Sequence, residues 1–255
     1  MAEKLAIVTG ASSGIGLELA RCAAEDGYDL IIAANEPMNE ALAELSREGV
    51  EVTPVVCDLA TFEGVDELLA ACGDRVPDMV CANAGNAMGG AFLDVDVGDW
   101  TYAVNTNITG TLYLLQNVLR PMVKRQRGQV LVTGSIAGYI PGPFNAVYNA
   151  TKAFIDNFSD ALRNELKDSG VTLTLLMPGA TDTEFFKRAD MEDTGLAKGA
   201  TADPADVARD GWKAALSGRD RIVSGLFNKA QVAAAGVTPP SVMAEVHRHM
   251  AQPKE

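Results

Sequence analysis

The sequence predicts an α/β fold, a doubly wound parallel sheet with helices on both faces. Three observations carry this expectation. Short apolar runs alternate along the chain with longer segments of helical character. Most of those runs are continuously apolar, with no in–out alternation, which suits strands buried on both faces. A glycine-rich turn joins the first run directly to the first helical segment.

The strand candidates, in order, are Lys4–Thr9, Tyr28–Ala34, Val50–Val56, Asp78–Ala82, Gln129–Thr133, Val171–Met177 and a short Arg221–Ser224. The helix candidates between them are Ile15–Glu25, Asn39–Glu48, Phe62–Ala71, Trp100–Arg125, Ala146–Asp168 and Ala205–Leu216. Asp203-Pro204 is a strong helix start, an N-cap followed by proline at the first helical position. The one long stretch with no clear strand is 179–202, which carries the Phe185-Phe186 pair. Such a segment is read as a lid over a site, or as a surface excursion with a short helix. The tail from 231 to 255 has no assigned place. No repeat, low-complexity stretch or linker divides the 255 residues, so one domain is expected.

Composition narrows the classes of function. Hydrophobic residues make up 47% and charged residues 22%, as in an ordinary globular protein. The net charge of -13 argues against nucleic-acid binding, which needs clustered Lys and Arg. No leader-like N-terminus and no apolar run near ~18 residues is visible, so neither secretion nor a membrane span is expected. Cys22, Cys57, Cys72 and Cys81 form no CxxC pair and have no nearby histidine. They read as structural free thiols with no metal, and a cytoplasmic location follows weakly.

The turn Thr9-Gly10-Ala-Ser12-Ser13-Gly14-Ile15-Gly16 lies between a strand and a helix. Glycine there lets a phosphate approach the main chain. The helix beginning near Ile15 turns its free N–H groups and positive end toward that phosphate. Strand, turn, helix and second strand together indicate a dinucleotide site. A residue about 20 positions on, at the end of the second strand, should read the adenosine ribose. That residue is Asn35, followed by Glu36. Asn35 is neutral on cofactor choice. Glu36 would repel a 2′-phosphate and no Lys or Arg lies close by in sequence, so between NAD(H) and NADP(H) the balance leans to NAD(H). Glu36 reads equally as a solvent-facing side chain. Asp58 and Leu59 end the third strand and Asn83-Ala84-Gly85 the fourth, where ligands of an open parallel sheet lie. Asp58 is a candidate for the adenine amino group. Asn83 is a candidate to tie neighbouring strands or to form a turn, with Ala84 and Gly85 small enough for a close ligand.

Tyr148 and Lys152 stand four apart on one predicted helix face. A free tyrosine has a pKa near ~10, and work near neutrality needs a shift of ~3 units, or ~4 kcal/mol. An ammonium one turn away favours the phenolate. Lys152 can also hold ribose hydroxyls, and Ser135, at the end of the fifth strand, can hydrogen-bond a substrate oxygen as charge develops on it. These features suggest an oxidoreductase.

With these residues in place, the chain resembles the short-chain dehydrogenase/reductase family, in its compact branch. The matching positions are Thr9–Gly16, Asp58, Asn83-Ala84-Gly85, Asn107, Ser135, Tyr148, Lys152 and Pro178-Gly179 followed by Thr181 and Thr183. The resemblance implies a Rossmann-like sheet in the order 3-2-1-4-5-6-7. It implies Tyr148 as general acid/base, Ser135 as partner of the substrate oxygen and Lys152 as ribose clamp. It also implies that Asn107 kinks its helix and holds a water toward Lys152, and that Thr183 meets the nicotinamide carboxamide. Asn105 is a second, less well-spaced candidate. A homodimer or homotetramer packed through the two long helices is implied too. The sequence departs from the family's pattern at Ala82, where an asparagine is frequent, and at Asn35, which is neither the usual Asp nor Arg.

For the substrate, Ile136, Tyr139, Ile140, residues 86–91 and the Phe185-Phe186 pair are the expected lining, though Tyr139 and Ile140 are equally candidates for packing. That lining is mostly apolar and lacks an anchoring cation, which points to a small-molecule ketone or alcohol with a hydrophobic portion. Two other readings stay open. One is a nucleotide-sugar epimerase or dehydratase, which usually has a longer chain and a substrate domain. The other is a sensor that binds the cofactor without turnover, which has no need of Asn107, Ser135, Tyr148 and Lys152 together.

Overall fold

A computed structural model of the chain describes residues 4–199 and 201–252. The start of the N-terminus read above for a leader, one residue of the 179–202 segment and the last three of the tail lie outside the described residues. Among the described residues seven strands form one sheet: β1 (Leu5–Thr9), β2 (Asp29–Ala34), β3 (Val52–Val56), β4 (Met79–Ala82), β5 (Gly128–Thr133), β6 (Val171–Met177) and β7 (Arg221–Val223). The order is β3-β2-β1-β4-β5-β6-β7 and every pair is parallel.

The apolar runs follow from this placement. Side chains alternate between the two faces of a strand, and here both faces are covered. Leu5, Ile7 and Ile31 face one core, with Val65 and Leu68 of α3 (Phe62–Ala70), Leu115 and Met122 of α5 (Thr111–Lys124) and Ile155 of α6 (Ala146–Glu165). Ala6, Val8 and Ile32 face the other, with Leu19 and Ala23 of α1 (Gly14–Glu25), Leu45 of α2 (Asn39–Leu45) and Trp212 of α8 (Pro204–Leu216). Pro54 sits in β3, an edge strand, where a missing N–H is tolerated. No helix among the described residues is long and apolar enough to cross a membrane.

Several boundaries differ from expectation. β4 runs from Met79, though the Asp78 backbone already bonds both neighbouring strands, its N–H donating to the Leu5 carbonyl at 2.7 Å and its carbonyl accepting the Gln129 N–H at 2.9 Å, while its carboxylate accepts the Leu5 N–H at 3.0 Å and pairs with Arg125 and Arg127. The single helix expected over Trp100–Arg125 is α4 (Val97–Val104), a π-helical turn at Asn105–Gly110 and then α5. The wide turn presses on the loop after β3, where a Cβ on Gly110 would overlap the Leu59 carbonyl oxygen. Such turns recur at functional sites. The 179–202 segment is closed at its base by a bridge between Thr181 and Ala202 and carries one helical turn, α7 (Phe185–Arg188). The unplaced tail forms α9 (Leu226–Ala235) and α10 (Pro240–Ala251).

Candidate active site

Two adjoining cavities, of about 300 and 310 Å³, open at the carboxyl ends of the strands. Their shared wall is the glycine turn after β1. Gly10 (φ +67°) and Gly14 (φ +57°) are left-handed, a conformation that excludes most side chains. A Cβ on Gly16 would overlap the Gly10 carbonyl oxygen and lie 2.6 Å from Asn83 Nδ2, so the helix can start this close to the turn only with glycine there. Asn83 laces the floor: its Nδ2 donates to the Thr9 carbonyl at 3.1 Å, its backbone N–H donates to Thr9 Oγ1, and its Oδ1 accepts from Thr133 Oγ1 at 3.0 Å. Three strands are tied by one side chain, the first of its two expected roles.

Every residue expected to hold the dinucleotide lines one of these cavities. Ser12, Asn35, Asp58 and Leu59 line the second; Ser13, Gly14, Ile15, Gly16 and Asn83 line the first, with Pro178, Gly179, Thr181 and Thr183 opposite. Gly10, Ala84 and Gly85 line both. At the second cavity Asn35 Nδ2 donates to the Tyr102 hydroxyl at 3.2 Å, which donates to Asp58 Oδ1 at 3.1 Å. No Lys or Arg lies near Glu36 in sequence, but the fold brings one to it. Arg188 of α7 reaches across the crevice to Glu36 Oε1 at 2.6 Å and to Ser13 Oγ at 3.4 Å.

Ser135, Tyr148 and Lys152 meet in the first cavity. Ser135 follows β5 in extended backbone, and its hydroxyl donates to the Pro178 carbonyl at 3.4 Å and accepts the Ala137 N–H. The loop after it is fastened to α6 by Asn149, whose Nδ2 donates to the Ala137 and Ile140 carbonyls. Lys152 Nζ donates to the Thr133 carbonyl at 2.8 Å and lies 5.8 Å from the centre of the Tyr148 ring. Burial pushes the Tyr148 phenol above its ordinary value; a hydrogen bond with Ser135 opposes that rise and the Asp156 charge adds to it. The expected lowering by Lys152 is not seen; burial dominates and favours the protonated phenol. Burial pushes Lys152 down, and the Asp156 carboxylate opposes it.

Asn107 stands behind the cavity. Its Oδ1 accepts the Asn86 N–H at 2.7 Å, and its Nδ2 donates to the Asn86 carbonyl and to Thr151 Oγ1. The π turn supplies the kink that the resemblance implied. Both amide hydrogens are committed to protein partners.

On the substrate side Ile136, Ile140, Phe185 and Phe186 line the first cavity, and the Tyr148 and Phe185 rings lie 5.1 Å apart. Two lining expectations are corrected. Tyr139 takes its alternative role, packing against the core, with its hydroxyl accepting from Arg221 Nη1 at 2.7 Å. Of residues 86–91 only Asn86 and Ala87 reach the lining; Gly89 is tied to the 179–202 segment, donating its N–H to the Ala189 carbonyl.

The family model for short chain dehydrogenases matches residues 4–193. The chain belongs to the short-chain dehydrogenase family. An uncharacterized oxidoreductase of Staphylococcus epidermidis is 33% identical over 192 residues, covering 74% of this chain and 82% of that protein. A short-chain dehydrogenase from Sphingobium yanoikuyae, solved with NADPH, superposes with a TM-score of 0.81 at 24% identity, covering 92% of this chain and 96% of that one. One from Burkholderia phymatum, solved with NAD, gives 0.82 at 23% identity, covering 99% and 98%.

Within this short-chain dehydrogenase, four residues beyond the sequence reading shape the site: Tyr102, Asp156, Arg188 and His247. Asp156 had a signal, since it follows Lys152 by four positions and Tyr148 by eight on one helix. Its buried carboxylate is wedged between two glycines, where a Cβ on Gly134 or Gly138 would overlap its oxygens. Burial pushes it up, and Lys152 and the Ser135 backbone N–H pull it down. Tyr102, Arg188 and His247 arrive from distant elements, and only the fold brings them in.

Proposed function

We propose that the protein is a nicotinamide-dependent oxidoreductase that interconverts a ketone and a secondary alcohol carrying a hydrophobic portion. The observation that carries this is the convergence of Tyr148, Ser135 and Lys152 in an apolar cavity continuous with the glycine turn. The turn suits a diphosphate. α1 opens with no side-chain cap and no acidic residue in its first turn, as α6, α9 and α10 also do, and what sets it apart is the left-handed glycine turn that leads into it.

When bound, the nicotinamide supplies or accepts the hydride. In the reductive direction Tyr148 gives its proton to the carbonyl oxygen, and in the oxidative direction takes it from the alcohol. The Ser135 hydroxyl donates a hydrogen bond to the same oxygen, leaving its present bond to Pro178. Lys152 holds the ribose hydroxyls, and Asp156 helps to keep it an ammonium. Thr183 meets the carboxamide and Asp58 the adenine amino group. Phe185 and Phe186 cover the substrate and exclude water.

For the cofactor, NAD(H) is the preferred choice. The second cavity is lined by Asp58 and Glu36, and Arg188, which would attract a 2′-phosphate, is already paired with Glu36. The whole chain acts as one catalytic domain, within a homodimer or homotetramer.

The test is turnover of a panel of apolar ketones and alcohols with NADH, NADPH and their oxidised forms. Reduction of ketones, faster with NADH at low cofactor concentration, is expected. Cofactor binding without any turnover would overturn the proposal and favour a sensor.

A further inference from the structure

The tail contributes two polar side chains, Gln231 and His247, to the cavity that holds Tyr148. α10 is held against the 179–202 segment by a hydrogen bond from the Leu196 N–H to the Met250 carbonyl at 3.2 Å. One turn earlier His247, only 5% exposed, lines the same cavity as Tyr148. Its Nδ1 lies 3.1 Å from the Pro143 carbonyl oxygen, five residues ahead of Tyr148. A carbonyl only accepts, so Nδ1 carries the hydrogen. Burial pushes His247 below its ordinary value, so near neutral pH the ring holds a single proton. Nε2 is then an acceptor. It has no partner among the described residues, yet it is not sealed in, unlike Asn145 Oδ1 and Asn149 Oδ1 of the neighbouring wall. Such an acceptor, on a residue that lines the cavity, gains a partner when a donor enters there.

We infer that His247 is a specificity residue, accepting a hydrogen bond through Nε2 from a hydroxyl that the substrate carries away from its reacting carbonyl. The preferred substrates are then hydroxyketones and the corresponding diols. This inference rests on the proposed ketone and alcohol chemistry and adds the second polar group. Discrimination of this kind is strong where a buried polar group is left unpaired by the wrong ligand.

The test uses the full chain with acetophenone and benzylacetone, each beside its para-hydroxy and para-methoxy derivative, in wild type and His247→Phe. The two ketones place the hydroxyl at different distances from the carbonyl. The quantity read is kcat/KM for the hydroxy compound divided by that for its parent. The same ratio in variant and wild type cancels the electronic effect of the substituent and any general loss from freeing the Pro143 carbonyl. In at least one series the ratio is expected to fall about 5- to 10-fold in His247→Phe, the worth of one hydrogen bond. In wild type the methoxy compound, which cannot donate, should be the poorer substrate. An unchanged ratio in both series, or methoxy compounds as good as hydroxy ones, overturns the role of His247. Reduction of no ketone by wild type overturns instead the chemistry on which it rests. Should His247→Phe not fold, the hydroxy-to-methoxy ratio in wild type decides alone.

Discussion

Asp156 shows how one carboxylate sets the state of its neighbours. Two groups on the same helix face, Tyr148 and Lys152, are forced by burial toward their neutral forms. Asp156 favours the ammonium of Lys152 and disfavours the phenolate of Tyr148. For ketone reduction both effects keep the site in its working state, a charged lysine and a protonated tyrosine. Asp156→Asn removes that charge, so Lys152 loses its proton sooner and Tyr148 ionises more readily. The alkaline limb of the reductive kcat/KM profile is expected to move to lower pH, with activity on that limb reduced about fivefold or more, equivalent to ~1 kcal/mol. A pH–rate profile checks this, and a limb unmoved or displaced upward would remove Asp156 from the proton circuit.

At the scale of elements, the site depends on close approaches between backbones. α1 can begin against the glycine turn because Gly16 has no side chain, and Gly16→Ala would force its Cβ into the Gly10 carbonyl. A backbone shift there is expected to cost about 1–3 kcal/mol of stability and to weaken NADH binding at least tenfold, read by thermal unfolding and by titration of cofactor fluorescence. The tail is a second such element. α10 braces the 179–202 segment through Leu196 and Met250 and buries His247 against the loop that precedes α6. Because burial lowers the His247 pKa, the unfolded chain binds that proton more readily between the folded value and 6.5. Stability from this group is therefore present above 6.5 and lost as the pH falls through the folded value. Wild type should lose more melting temperature than His247→Gln on going from about pH 7.5 to 5, and equal losses would show that His247 is not buried as described.

For the molecule as a whole, legibility in the sequence followed the range of the forces involved. The parallel sheet was legible because strands covered on both faces must be apolar throughout, as β1 and β2 are. The dinucleotide cradle, Ser135, Tyr148 and Lys152 were legible because their geometry is set by short spacings and one strand end. A kink at Asn107 was expected from the resemblance alone, but its form was not legible: the turn over Asn105–Gly110 widens where Gly110 meets the Leu59 carbonyl, a contact made only in the fold. Nor was the Arg188–Glu36 pair, or the seating of His247, because each joins elements over a hundred positions apart. The central claim is that the Tyr148 hydroxyl moves the proton in a nicotinamide-linked reaction. The most direct measurement is ketone-dependent NADH oxidation by wild type and Tyr148→Phe, with NADH binding titrated in both. A fall in turnover of at least ~100-fold with cofactor affinity retained is expected; turnover at the wild-type rate in Tyr148→Phe would contradict the claim.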